Sequence, residues 1–373
     1  MEQISLKTNE KQTSAANAIS AASNDQSSKG LILQAYCNSV LQQPKVDFSA
    51  DADLATFQEQ INASLLRAQQ HANNYLSSIS PSIISSLASL ENYFTLYSSV
   101  PVTLPAGSTV EQWVQTLQAM KVVCDANLRD SKAIVISLQS LSTDLAQDST
   151  EFANIVFNLN LIMKGDKGVL DSITDSLNSL DNQIAGTITA IVGGALGIVG
   201  GVFTIIVGAV ADFVTAGTNP ELVIGGVVMV VAGVASEVGS IVALVGLYDQ
   251  KNSLLTEQSK LTAEVSLVSG ISSAYNQIST QATAALESAK SMQSTWELTS
   301  TDLQDLSDDL QNGIINVDDI RTMFLNEANT DIANILNDIT VIKAQMAGVS
   351  STVLPQGQNM SSYLSSLKTV SPN

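Results

Sequence analysis

The side chains that carry most protein chemistry are scarce in this chain and poorly spaced for it. There is one histidine, His71, and there are two cysteines, Cys37 and Cys124. A dense metal centre or a disulfide framework needs more ligating groups than that. His71 has no HExxH context, so it reads as a core or surface residue of a helix. It cannot form a histidine-cluster pH trigger alone. Neither cysteine forms a local nucleophile signature with it. The two thiols are either buried and free or, if their helices pack side by side, a disulfide with Cα atoms about 4.4–6.8 Å apart. No GxxxxGK[ST] phosphate loop or GxGxxG turn occurs, and the glycines at 193–201 lie in an apolar run without a lysine. The pair Asp318-Asp319 fits the start of a helix, where carboxylates meet the positive end of the dipole, better than a metal. These readings give no enzyme, no cofactor and no metal.

Composition narrows the classes further. The 373 residues include 16 basic and 35 acidic ones, a net charge of −19, with 45% hydrophobic residues. A chain this apolar is not disordered. An acidic chain without basic clusters lacks the Lys and Arg that hold phosphates, which excludes nucleic acid as a partner. Recruitment to anionic lipid by a polybasic patch is excluded on the same ground. The first 29 residues are polar and have no apolar h-region. That predicts a cytosolic protein or one exported without a cleavable signal peptide.

The remaining residues must therefore be positioned for something physical, and the elements are long helices. The stretches 106–219 and 221–354 contain no proline, as suits helices. A first helix is predicted over Ser14–Leu41, ended by Pro44. A second starts near Asp51 or Asp53 and runs to Ser99, kinked or interrupted by Pro81. Residues 100–107 read as a connector, and Ser108 with Glu111 as a capping box. The third helix carries an apolar heptad seam through Trp113, Leu117, Met120, Cys124, Ile134, Leu138, Leu141, Leu145, Phe152, Val156, Leu159 and Met163. After a break at 165–168 the seam resumes at Leu170, Ile173, Leu177 and Ile184. It returns from Leu254 through Tyr275 to Leu310. Gly313 breaks the chain again, and a last helix over Asp318–Met346 has Gly348 as its C-cap. The predicted fold is all-α: an elongated long-helix bundle, formed by 1–183 and 249–373 as a tail, with a hydrophobic helical-hairpin head at 184–248.

That head differs from the rest. Ile184–Ala211 is 28 residues without a charge, and Leu222–Tyr248 is 27 residues with only Glu237. Each exceeds the ~20 apolar residues that span a bilayer. The predicted membrane-inserting residues are Ile191, Leu196, Ile198, Val199, Phe203, Ile205 and Ile206 in the first arm. Leu222, Val223, Ile224, Val227, Val228, Met229 and Val230 are their counterparts in the second. Small residues recur along both arms, with Gly193, Gly197 and Gly201 spaced as GxxxGxxxG and Gly239 in a seven-residue repeat; such ridges let helices approach closely in lipid. Gly208, Gly217, Gly225, Gly226 and Gly233 are further candidates for packing or refolding points. Glu237 would face water, a lumen or a partner helix, or sit solvated at the interface, because a charge at the bilayer centre is costly. Three readings stay open: a head that inserts conditionally, a resident two-span membrane scaffold with coiled-coil arms, and a permanently buried hairpin. The near absence of basic flanks, Lys251 apart, gives the resident reading little orientation signal.

Several stretches are similar to one family. They are Ala35-Tyr36-Cys37-Asn38-Ser39-Val40, Pro105-Ala106-Gly107-Ser108-Thr109, the 210–218 segment, Gly313-Ile314-Ile315-Asn316-Val317-Asp318-Asp319-Ile320-Arg321 and the 343–349 segment. In their order, and around the apolar middle, the chain resembles the tripartite α-helical pore-forming toxins of Gram-negative bacteria, within the cytolysin A and haemolysin BL superfamily. The B component is the member type with two fully apolar arms. The resemblance implies a secreted protein whose head refolds on target-cell membrane lipid. It also implies a ring of copies of the chain and two further toxin components that complete a haemolytic, cytolytic pore.

Overall fold

The computed structural model describes residues 2–43, 45–46, 48, 52–162, 167–195, 202–216, 219–232, 238–256, 260–328, 331–347, 350–353, 362–363 and 365. Helix α1 is Glu2–Gln42, α2 is Ala55–Asn74, α3 is Ser80–Thr103, α4 is Val110–Ile162 and α5 is Lys167–Ala195. Strands β1 (Val202–Ala216) and β2 (Asn219–Ala232) follow, then α6 (Val238–Thr256), α7 (Lys260–Gln311), α8 (Val317–Ala328), α9 (Asp331–Ala347) and β3 (Ser350–Val353). The long-helix bundle expected from the heptads is present, and most of the predicted seam with described side chains lies in its core, Leu254 being only half-buried and Met163 lying outside the described residues. Trp113, Leu117, Met120, Cys124, Leu138, Leu145, Phe152 and Leu159 of α4 are buried, as are Tyr275, Met292, Trp296, Leu303 and Leu310 of α7. Both cysteines are buried and free.

Local chemistry moves several boundaries. The α2–α3 junction is a π-helical turn, Tyr75–Ile79, so Pro81 falls in the first turn of α3. The backbone stays helical through this junction, and the wider turn just before Pro81, where the Ser80 N–H reaches the Tyr75 carbonyl, accommodates the missing N–H. Helix α3 then continues past Pro101 to Thr103, later than the predicted connector at 100–107. The capping box lies one residue further on than predicted. The Ser108 hydroxyl donates to the Pro105 carbonyl at 2.7 Å, after Gly107 turns with φ +91°. Thr109 and Gln112 form the reciprocal pair instead, Gln112 N–H to Thr109 Oγ1 at 3.3 Å and Thr109 N–H to Gln112 Oε1 at 2.8 Å. Gly313, at φ +67°, breaks the chain as predicted. Asn316 caps α8, accepting the Asp319 N–H at 2.9 Å, and the acid pair Asp318-Asp319 lies in the first turn of that helix, as predicted. The last predicted helix is two, α8 and α9, and Gly348 lies outside the described residues.

The chain divides into two compact units. The first comprises Met1–Lys29, Pro81–Leu138 and Ala285–Ala347. Its centre is aromatic: Tyr93 meets Trp296 edge-on at 5.2 Å, and Tyr97 stacks on Phe324 at 4.5 Å. Polar ties surround it, Lys343 to Glu91 at 2.5 Å and Ser300 to Asp125 at 2.5 Å. The second unit comprises Gly30–Ser80, Gln139–Ala284 and Gly348–Asn373. Phe152 stacks on Tyr275 there at 4.4 Å, and the buried Tyr75 hydroxyl donates to the Gly30 carbonyl at 2.7 Å. His71 lies in this unit too, on α2. Its Nδ1 is 2.7 Å from Oδ2 of Asp148 on α4, whose side chain is 2% exposed.

Candidate membrane-inserting head

The apolar block forms a hairpin, but where it pairs its arms are strands rather than the predicted helices. β1 and β2 are antiparallel from Val202↔Ala232 to Ala216↔Asn219. The sequence supplies the reason. Val, Ile, Thr and Phe crowd both segments, and β-branched and aromatic side chains fit a pleated surface better than a helix. Length and apolarity alone do not distinguish a helix from a buried strand. Among the described residues no helix is long and apolar enough to cross a membrane.

The predicted insertion residues are brought together along this ladder. Phe203, Ile205 and Ile206 pair with Val231, Met229 and Val228, and Val223 and Ile224 pair with Asp212 and Ala211. Leu222 pairs with Phe213, Val227 with Val207, and Val230 with Thr204. Gly208 is the extra residue where the register shifts between Val207 and Ala209, a bulge position that suits glycine. Gly225 and Gly226 pair with Val210 and Ala209. Ile191 and Gly193 lie on α5 and Gly239 on α6, outside the strands. Leu196, Gly197, Ile198, Val199, Gly201, Gly217, Gly233 and Glu237 lie outside the described residues.

Two features of the head escaped the sequence reading. β3 adds to the outer side of β2, pairing Val227↔Val353 through Val230↔Ser350. The order β1-β2-β3 makes β2 the central strand. The only local signal for β3 is its short Ser/Thr/Val composition, too brief to separate from loop. The second feature is at the base of the hairpin, where α5 and α6 pack together. Lys251 Nζ lies 2.6 Å from Asp181 Oδ1, with side-chain exposures of 7% and 13%. In sequence Lys251 showed only as a lone basic flank, because its partner is 70 residues away. The buried thiol of Cys37 and the phenol of Tyr36, on α1 of the same unit, are both held well above their ordinary ranges by burial. Neither is poised for nucleophilic chemistry. Among the described residues no group of His, Cys, Asp and Glu could hold a metal.

This geometry has solved counterparts. Residues 13–187 match the family model of the Bacillus haemolytic enterotoxin (HBL). The chain is similar to the soluble AhlB of the tripartite α-pore forming toxin AHL from Aeromonas hydrophila, at 37% identity and TM-score 0.82 over 94% of this chain and 99% of that one. It is similar to the soluble SmhB of the toxin Smh from Serratia marcescens, at 32% identity and TM-score 0.84 over 96% and 100%. Against the AhlB pore the identity is 28% and the TM-score falls to 0.63, over 91% and 99%. No functionally curated protein matches the chain. The backbone thus lies nearer the soluble relatives than the pore.

Proposed function

The chain belongs to the family of B components of tripartite α-pore-forming toxins, and we propose that residues 184–248 are its membrane-inserting head, held here in the form that precedes insertion. The protein is a pore-forming subunit that acts with copies of itself and two further components. Its work is physical, not catalytic. The carrying observation is the apolar block itself: paired as strands and edged by β3, in a backbone matched at 0.82 to a soluble relative and 0.63 to that relative's pore. Strands of 15 and 14 residues would also span a bilayer in a closed barrel. Membership of an α-pore family favours helices, the other structure that satisfies every backbone group in lipid. As helices the 28- and 27-residue arms reach roughly 40 Å at ~1.5 Å per residue, more than the ~30 Å hydrocarbon core.

In this reading Phe203, Ile205, Ile206 and the 222–230 run meet lipid, and the glycines let the two arms approach. Transfer of apolar surface out of water, at about 25 cal/mol per Å², drives the change. The test is flotation of detergent-free protein with phosphatidylcholine vesicles, followed by alkaline extraction and far-UV circular dichroism. Floating, alkali-resistant protein with more helix and less strand is expected. Protein that stays at the bottom of the gradient, with an unchanged spectrum, would sink the proposal.

A further inference from the structure

We propose that the Asp181–Lys251 ion pair is a pivot: it stays closed while the hairpin beyond it changes from strands to helices, and it sets the register of both forms. The inference rests on the reading of 184–248 as the inserting head. The obvious alternative is a lock, a contact that must open before insertion.

Three observations favour the pivot. The first is position. Asp181 stands three residues before the first apolar arm begins at Ile184, and Lys251 three residues after the second ends at Tyr248. The pair brackets the apolar block at its base, so a head that enters lipid can leave both charges outside it. The second is register. Between Asp181 and the hairpin's midpoint at 217–218 lie 35 residues, and 32 lie between that midpoint and Lys251. Two antiparallel helices built from these arms would bring Asp181 and Lys251 level to within three residues, roughly 5 Å at ~1.5 Å per residue. The flexible four-carbon stem of lysine covers that offset. In the structure α5 and α6 already close on this pair as helices, and the strands occupy only 202–216 and 219–232 beyond them, so one clasp serves both geometries. The third is environment. The pair lies within runs of buried side chains, Leu177, Leu180 and Ile184 on α5 and Leu244, Tyr248 and Leu255 on α6. Separating two charges there would strand each of them.

The two mechanisms predict opposite results for Asp181→Cys/Lys251→Cys joined by a short bis-maleimide. The native thiols compete poorly for the reagent: both are buried, and burial pushes Cys124 up to about 12. As a pivot, the bridged protein floats with phosphatidylcholine vesicles and resists alkaline extraction within about twofold of the unbridged variant. A drop of tenfold or more on bridging, with the unbridged variant inserting normally, overturns the pivot. Lys251→Ala gives a second, independent reading that needs no cross-link. A pivot loses register, so the alkali-resistant fraction falls several-fold; a lock is released, so insertion becomes faster than wild type. The charge-swapped Asp181→Lys/Lys251→Asp protein restores insertion if the pair acts as a pivot. Wild-type protein that never floats would overturn the inserting-head reading and the pivot together. Failure of the bridged protein alone overturns only the pivot.

Discussion

At the scale of single residues, the side chains that looked capable of chemistry serve the packing. His71 is the example. Its ring is partly exposed, but its partner Asp148 is buried. Burial raises the Asp148 carboxyl above its ordinary range, against the opposing effects of the hydrogen bond and charge of His71. An acid whose folded pKa is raised favours folding below its unfolded pKa, and that contribution is lost as pH rises through the folded value. Removing the partner makes the ionised acid costlier still. His71→Ala is therefore expected to lower stability at pH 7 by about 1–3 kcal/mol, the range for a buried group left without its partner. The loss should shrink only below the ordinary carboxylate range, where Asp148 is protonated in both the folded and unfolded states and no acid charge is left to pair. Urea unfolding of both proteins at pH 7 and at about pH 3 checks this; an equal loss at both values would contradict it.

At the scale of elements, the hairpin is the part whose form depends on what surrounds it. β2 bonds to β1 on one side and to β3 on the other, so a β2 that becomes helical must leave both. The register pairs Met229 with Ser351 directly. Opposed Cα atoms in an antiparallel ladder are about 4.5–5.5 Å apart, inside the range a disulfide accepts. Met229→Cys/Ser351→Cys, oxidised, is therefore expected to reduce alkali-resistant vesicle binding at least tenfold, with recovery on reduction. Full insertion by the oxidised protein would mean that β2 keeps its neighbour and that the head does not refold as proposed. The α5–α6 base contrasts with this sheet edge. Its ion pair lies outside the apolar block, where refolding need not reach it.

For the whole molecule, charge is the dominant long-range property. Copies carrying −19 each repel one another, and so does an anionic membrane surface. Screening shortens the range of that repulsion, from ~30 Å at 0.01 M salt to ~8 Å at 0.15 M. Assembly on vesicles is accordingly expected to speed up with salt over that interval, with anionic vesicles bound no better than neutral ones. Cross-linking time courses at fixed protein and lipid measure it. Slower assembly with added salt, or a preference for anionic lipid, would show that a local positive surface outweighs the net charge.

What the sequence determined by itself is the part governed by local periodicity and composition. The heptad seam predicted the buried faces of α4 and α7, because a 3.5-residue apolar repeat has one way to be covered. The two long apolar arms, one without a charge and one with only Glu237, set 184–248 apart from the rest of the chain. What only the tertiary structure decided is the part that depends on distant partners. The inner parts of the arms, 202–216 and 219–232, are strands because each finds an antiparallel neighbour, and β2 a third in Ser350–Val353; in isolation their hydropathy fits helix as well. Lys251 gains meaning only when α5 brings Asp181 within 2.6 Å. The cap at Thr109 displaced Ser108 because a turn claimed the serine hydroxyl first. Such outcomes rest on competition between groups far apart or evenly matched, and a linear pattern does not rank the competitors.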